Sequence, residues 1–318
     1  MTDIYNLSQI KKALETLDPI QAIENGFIAY SQGKAVIPPV GELIFDNPPG
    51  GMHIKYGKIT NDKYFVVKVA TGFQENHLID LPTGTGLMLV FKQGTGELAA
   101  ILLDEGHLTN IRTAAAGAVV AKYLAPANIR CIGILGAGIQ GRLQLEYLRT
   151  VTECKDVMAW GVNREELIRY QHEMESEGYR VRTTLQPEEV ADTCNMIITA
   201  TPATSPLLDG DHIRSGTHIT AMGSDTPDKQ ELDASVLAKA DIIVADSISQ
   251  CLLRGEIFKA LGAGSIQKEE LRELGNVIAD PNLRRTDDDQ ITIADLTGVA
   301  IQDIQIAVAV YERLTEGC

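Results

Sequence analysis

Basic residues are in short supply in this chain of 318 residues. Its 28 Lys and Arg stand against 43 Asp and Glu, a formal net charge of −15. That balance leaves no basic surface for nucleic acid or anionic lipid, and the acidity reads as a solubility feature. Long apolar runs are missing as well. None reaches the roughly 18–20 residues needed to cross a bilayer, so no membrane partner is expected. The opening MTDIYNLSQIKKALE has neither a basic n-region nor an apolar h-region, which predicts no signal peptide and a cytoplasmic location. Cysteine is scattered: Cys131, Cys154, Cys194, Cys251 and Cys318 form no CxxC pair. An odd, unpaired set fits free thiols in a reducing compartment and argues against disulfides or a metal site. There is no internal repeat and no low-complexity segment.

What remains is ordinary for a soluble globular protein: 44% hydrophobic and 22% charged residues, in a chain long enough for two domains. The first 31 residues read as two short helices. Ser8 is placed to cap the first and Asp18 the second, with Pro19 at its first position. From 35 to 105 the texture turns to short β-rich runs (AVIPP, GELIF, MHIKYG, YFVVKVATGF, GLMLVF, LAAILLD) broken by Gly, Pro and Asn, as in a sheet of hairpins. Residues 109–124, TNIRTAAAGAVVAKYL, read as a helix of small residues suited to close packing.

After Pro126 strands and helices alternate, and the strands IRCIGILG, DVMAWG, NMIITAT, THITAMG and DIIVADS are apolar throughout. That pattern predicts a parallel, doubly wound sheet. The last apolar stretch, TIADLTGVAIQDIQIAVAVYERL, reads as one long helix returning to the first domain. The fold expected is α/β, a doubly wound parallel sheet inserted in an α+β domain. Its boundaries are 1–125 completed by 293–318, and 126–292.

Within this alternation GILGAGIQG (133–141) carries the pattern Gly136-x-Gly138-x-x-Gly141 directly after a strand and at the opening of a helix. Glycines there permit a tight turn and let backbone approach a pyrophosphate at the helix N-terminus. Gly136, Ala137, Gly138, Ile139, Gln140 and Gly141 are therefore candidate cofactor residues, with Thr201 at the end of a later strand. Discrimination between cofactors is read after the next strand, where an NAD site carries Asp or Glu for the ribose hydroxyls. Here the text is Gly161, Val162, Asn163 and Arg164. A missing carboxylate beside an arginine points to NADP over NAD, with Asn163 and Arg164 as contacts; Arg164 reads equally as a solvated helix opener.

Three stretches together, GHLTNIRTAAAGAVVAKYLAP, the glycine turn and MGSDTPDKQELD (222–233), resemble the ornithine cyclodeaminase/mu-crystallin family over nearly the whole chain. The resemblance implies a homodimer, a nucleotide domain of the Rossmann type, and a first domain that holds a small amino or imino acid and is completed by the C-terminal helix. Three activities stay open under it. They are an NAD(P)-dependent imine reductase or amino-acid dehydrogenase, a cyclodeaminating ammonia-lyase recycling its bound cofactor, and a non-catalytic ligand-binding protein of crystallin type.

Chemistry at an amino-acid α-carbon needs a cation for the carboxylate and an acid or base for nitrogen. Lys68 lies mid-strand between apolar neighbours, where an unpaired ammonium is costly. The resemblance aligns it with a lysine that polarises the substrate carboxylate or imine. Arg112 opens the small-residue helix, where its guanidinium fork suits a carboxylate or, with Thr113, the cofactor phosphates. Asp225 follows a strand at the edge where α/β sheets gather ligands, and the resemblance makes it the general acid/base. Thr83 matches a family position near substrate; it reads as readily as a turn threonine. Two positions depart from the family pattern. Gly41 stands where a carboxylate-binding arginine is expected. Lys55, thirteen residues before Lys68, stands where cyclodeaminases place a glutamate for the distal amine. Lys55, with His53 on the same strand face, suits a carboxylate instead; Lys55 and Lys58 read equally as solvated on an edge strand.

Overall fold

A computed structural model of the chain describes residues 2–316, so Cys318 lies outside the described residues. The chain forms two compact units, Met1–Thr113 with Val299–Cys318, and Ala114–Gly298.

The first unit begins with β1 (Asp3–Asn6), α1 (Leu7–Leu14) and α2 (Pro19–Ser31). Ser8 is not the cap of α1. Asn6 is: its Oδ1 accepts from Gln9 N at 3.1 Å while Gln9 Oε1 accepts from Asn6 N, a reciprocal box that leaves Ser8 inside the first turn. Asp18 caps α2 through Gln21 N, with Pro19 first, as the sequence predicts. Then come β2 (Ala35–Val36), β3 (Gly41–Asp46), β4 (Pro49–Ile59), β5 (Tyr64–Phe73), β6 (Gly84–Lys92) and β7 (Leu98–Leu103). They make one sheet in the order β1-β7-β6-β5-β4-β2, with β3 also on β4; β1 alone runs parallel to its neighbour. One face of β5 and β6 sets Val66, Met88 and Val90 in the core.

The chain leaves this unit in α3 (His107–Leu124). The second unit continues as β8 (Ile132–Leu135), α4 (Ile139–Leu148), β9 (Asp156–Trp160), α5 (Arg164–Ser176), β10 (Arg180–Thr184), α6 (Pro187–Thr193), β11 (Met196–Thr199) and β12 (His218–Ala221). It closes with α7 (Ala234–Ala238), β13 (Ile242–Ala245), α8 (Ile248–Cys251), α9 (Gly255–Gly262), β14 (Leu271–Glu273), α10 (Leu274–Ala279) and β15 (Thr292–Asp295). All eight strands are parallel, in the order β10-β9-β8-β11-β12-β15-β13-β14. Strand order reverses between β8 and β11, the switch point of a doubly wound sheet, where such folds bind their ligands.

One expected element is corrected. The run from Thr292 is not helical from its start: Thr292–Asp295 is a buried strand between β12 and β13. Gly298, at φ +80°, then turns the chain into α11 (Ala300–Glu316). The left-handed residue breaks the run that composition alone reads as continuous. Back in the first unit, α11 packs on α1, α2, β4, β5 and β6.

Candidate active site

In the first unit, the register of β4 and β5 sets two lysines face to face. Lys55 is the direct antiparallel partner of Lys68, and Met88 of β6 lies on the other side of Lys68. Lys68 is 3% exposed and Lys55 9%. Neither is solvated, and β4 is an interior strand, so the edge-strand alternative for Lys55 is overturned; Lys58 alone is exposed. The counter-charge comes from α11. Asp303 Oδ1 accepts from Lys68 Nζ at 2.8 Å and lies 3.2 Å from Arg112 Nε, all three groups being buried. Arg112 Nη1 also donates to Gln302 Oε1 at 2.9 Å.

Burial pulls the Lys68 ammonium down to about 7, with Arg112 and Lys55 pushing the same way and Asp303 opposing. Burial raises the Asp303 carboxyl, but Lys68, Arg112 and Lys55 together hold it below the usual carboxylate range. Nearby Asp104 accepts from Leu108 N at 2.8 Å, and burial lifts it to about 6. Four polar atoms here, the acceptors Asp303 Oδ2 and Asp104 Oδ1 and the donors Gln302 Nε2 and Arg112 Nε, are buried with no hydrogen-bond partner among the described residues. An unmatched acceptor beside an unmatched donor, on a base of cations, complements an amino or imino acid: the donor meets a carboxylate oxygen, the acceptor an N–H.

His53 lies two residues from Lys55 on β4 and faces Glu42, 3.6 Å from its carboxylate. Thr83 is not brought to this cluster within the chain. It is exposed at the β5–β6 turn, where its carbonyl accepts from Phe73 N. That is five residues from Met88, about 17 Å along a strand. Gly41 pairs with Ile54 at the start of β3 and contributes no side chain. Thr113 Oγ1 donates to Thr109 O in its own helix.

In the second unit the glycine turn connects β8 to α4. Gly136 has φ +111°, and a Cβ there meets Ala200 O at 2.6 Å and Thr201 Cγ2 at 3.1 Å, so the turn lies against the end of β11. A Cβ on Gly141 meets Gly136 O at 2.3 Å, which holds α4 tight on the turn. Gly138 differs: a Cβ there meets nothing within 4 Å. It is the N-cap of α4 and provides no capping side chain, so the first-turn N–H groups face open space, with Gly138 and Ile139 exposed. Arg142 Nη1 takes the carbonyls of Ala137 and Gly138, and its Nε pairs with Glu173. The carbonyls of Ala137 and Gly138 are thus engaged and no side chain caps the helix start, which fits an anionic pyrophosphate. Gln140 accepts from Gln144 one turn on. Asn163 caps α5 through Glu165 N and Glu166 N, and Arg164 is exposed beside it.

Asp225 lies four residues past β12, its side chain about half exposed at 48%, paired with Lys229 at 2.7 Å. Arg254 Nη1 donates to its carbonyl at 3.2 Å. The loop rests on Glu231, a buried carboxylate accepting from Thr199 Oγ1, Thr201 N and Gly223 N. Glu256 accepts in turn from Glu231 N and Leu232 N, and burial raises it to about 7. Sequence reasoning passed over Glu231 although it stands in the quoted MGSDTPDKQELD. It also missed Asp303 and Gln302, whose only signal is polar residues interrupting the apolar VAIQDIQIAVAV.

A parallel sheet with an open glycine turn at its switch point defines a dinucleotide-binding protein of the Rossmann type. The chain belongs to the ornithine cyclodeaminase/mu-crystallin family, whose pattern it matches over residues 1–318. Among solved structures it is similar to an archaeal alanine dehydrogenase dimer with bound NAD, at 33% identity and a TM-score of 0.89, covering 100% of this chain and 97% of that one. The Delta(1)-pyrroline-2-carboxylate reductase of Thermococcus litoralis, in complex with NADH and L-proline, matches at 27% identity and a TM-score of 0.91, covering 99% and 98%. The iminosuccinate reductase of Paracoccus denitrificans, in complex with NAD+, matches at 30% identity and a TM-score of 0.86, covering 99% and 97%.

Proposed function

We propose that this protein is an NAD(P)-dependent oxidoreductase interconverting a small α-imino acid and its α-amino acid. The observation that carries this reading is the unmatched pair Gln302 Nε2 and Asp303 Oδ2 on the buried Lys68–Arg112 cluster. When bound, the nicotinamide supplies a hydride to the α-carbon, so that R–C(=NH)–COO⁻ plus a proton becomes R–CH(NH₂)–COO⁻.

In this reading Arg112 grips the α-carboxylate with its planar fork and Lys68 holds it as a point charge or polarises the C=N bond. A lysine brought to about 7 exchanges its proton near neutral pH, which suits it to that second role. Asp303 keeps Lys68 and Arg112 in place, and Asp225 is the acid/base that delivers or removes the nitrogen's proton. The first-turn N–H groups of α4 hold the pyrophosphate. NADP is proposed over NAD because residues 161–164 bring an exposed Arg164 and no carboxylate. Cyclodeamination fits less well, since buried Lys55 repels a distal ammonium. A homodimer is proposed from the likeness to the dehydrogenase dimer, and light scattering at the mass of two chains tests it.

The test of the activity is NAD(P)H consumption with Delta(1)-pyrroline-2-carboxylate and with pyruvate or oxaloacetate plus ammonium. Turnover that depends on the imine supports the reading. Absence of turnover across all of these, with NAD(P)H bound, overturns it in favour of a ligand-binding protein.

A further inference from the structure

Three cysteines gather at the edge of the parallel sheet opposite the glycine turn. Cys131 leads into β8, Cys154 into β9 and Cys194 into β11, and the sheet sets β8 between the other two. The proposed reaction uses none of them. Cys131 and Cys194 are buried, at 4% and 3% exposure, and the Cys194 thiol donates to Cys131 Sγ at 3.3 Å. The backbone around them is tied together. Asn195 N donates to Cys131 O at 3.3 Å, Asn195 Nδ2 to Asn128 O at 2.8 Å, and Arg130 N to Asn195 Oδ1 at 2.9 Å. Gly133 supplies the room, since a Cβ there would meet Cys194 Cβ at 3.1 Å and its Sγ at 3.3 Å. The pairing of Met196 with Ile132 sets Asn195 opposite Cys131 and Cys194 one residue back. With strands about 4.8 Å apart and a rise of about 3.3 Å, that diagonal separates the two Cα atoms by about 5.8 Å. Disulfides span Cα separations of about 4.4–6.8 Å.

We infer that Cys131 and Cys194 form a reversible oxidation site, closing to a disulfide between β8 and the end of α6 on reaction with a small peroxide. The two sulfurs differ in role. The hydrogen bond from Cys194 and the Arg182 guanidinium bring Cys131 down to about 7 against burial, while the same hydrogen bond and burial push the Cys194 thiol up. Cys131 is therefore the attacking thiolate and Cys194 the resolving thiol. The Cys131 sulfur attacks the peroxide: an S–O bond forms as O–O breaks, hydroxide leaves, and Cys131 becomes a sulfenic acid. The Cys194 sulfur then displaces that oxygen. An S–S bond forms, S–O breaks, and the oxygen departs as water with the Cys194 proton. In sum, two thiols and one hydrogen peroxide give one disulfide and two waters, and a dithiol reverses the oxidation by exchange. The cover over the pair is thin. Exposed Arg130 precedes Cys131 and half-buried Thr193 precedes Cys194, which leaves the sulfurs within reach of a reagent little larger than water.

The experiment treats the reduced full-length protein with hydrogen peroxide, alkylates it under denaturing conditions and maps its peptides without reductant. The wild-type protein should lose the mass of two hydrogens, yield a peptide joining Cys131 to Cys194, and return to the reduced mass with dithiothreitol. The link spans 63 positions of sequence. Closing a loop of that size should raise the apparent unfolding midpoint by at least ~4 °C. Cys194→Ser removes the resolving thiol, so a dimedone-type probe of sulfenic acid should label Cys131. In Cys131→Ser, labelling of Cys194 should be at least ~10-fold weaker, the ratio of thiolate between a group at about 7 and an ordinary thiol near neutral pH. The wild-type measurements stand without the variants. Alkylation of both Cys131 and Cys194 after peroxide, linkage of Cys131 to Cys154 instead, sulfinic acid on Cys131 in place of a link, a linked protein with a lowered midpoint, or equal labelling in the two variants overturns the inference. None of these results bears on the imine-reductase reading, which stands or falls on turnover.

Discussion

Replacing Asp303 with asparagine keeps the side-chain volume and one acceptor oxygen but deletes the carboxylate that Lys68 and Arg112 share. Removing one partner of a buried ion pair costs about 3–5 kcal/mol, because the other is left charged and uncompensated. Asp303 is 1% exposed and Lys68 3%, so solvent screening does not soften the loss. Lys68 is already down to about 7 with Asp303 opposing the fall, so Asp303→Asn should take it lower. A base whose folded value lies below its unfolded one costs stability while protonated. That cost is complete below the folded value and is relieved as pH climbs from about 7 toward the ordinary 10.5. In the variant the relief starts at lower pH. The gap in stability between wild type and variant should therefore be largest in acid and narrow as pH rises to about 7. The narrowing amounts to about 1.4 kcal/mol for each unit by which Lys68 has moved. Guanidinium unfolding at pH 5.5 and pH 8.5 measures both quantities, and the pH profile of kcat/KM should shift its Lys68 limb downward in parallel. A loss under about 1 kcal/mol at both pH values, with the limb unmoved, would refute the view that Asp303 holds this cluster together.

Gly138→Leu should abolish NAD(P)H binding in fluorescence titration and leave the unfolding midpoint nearly unchanged, because its Cβ enters open space at the α4 N-terminus. Unchanged affinity would remove the turn from the cofactor site. Gly161→Asp should lower the NADP/NAD ratio of kcat/KM, since a carboxylate accepts ribose hydroxyls and repels a 2′-phosphate. Its Cβ meets Leu167 at 3.3 Å, a side-chain neighbour able to yield. Asp225→Asn should lower kcat by about 10²–10⁴-fold at little changed KM and erase the carboxylate limb of the kcat profile. Near-normal kcat would leave Asp225 as a turn residue held by Lys229.

Local constraints were the ones legible in the sequence. Gly136 and Gly141 answer steric needs of the turn and Gly138 leaves the helix start open, all within nine residues, so β8, the turn and α4 can be read before any folding is known. Asp18 and Pro19 mark their helix for the same reason. Lys68 and Arg112 stand out as charges in apolar text. Asp303 stands out in the same way, yet its meaning depends on α11 lying over β4 and β5, and no periodicity in VAIQDIQIAVAV encodes that partner. Strand β15 was lost because its four residues precede Gly298, and an apolar run does not reveal where a left-handed residue will divide it. Thr83 came from resemblance rather than chemistry, and the chain leaves it exposed at a turn. The burial of Lys55 needed the sheet order, which alone makes β4 an interior strand.

The 235 residues between Lys68 and Asp303 also set a schedule for synthesis. At 5–20 residues per second a ribosome takes roughly 12–47 s to cover that distance. Throughout that interval Lys55 and Lys68 have been translated while their counter-charge has not. The parallel sheet, encoded entirely within the interval, has every residue it needs before the first sheet can close its charge cluster. On the nascent chain every residue of the nucleotide-binding unit is therefore translated before the helix that carries Asp303.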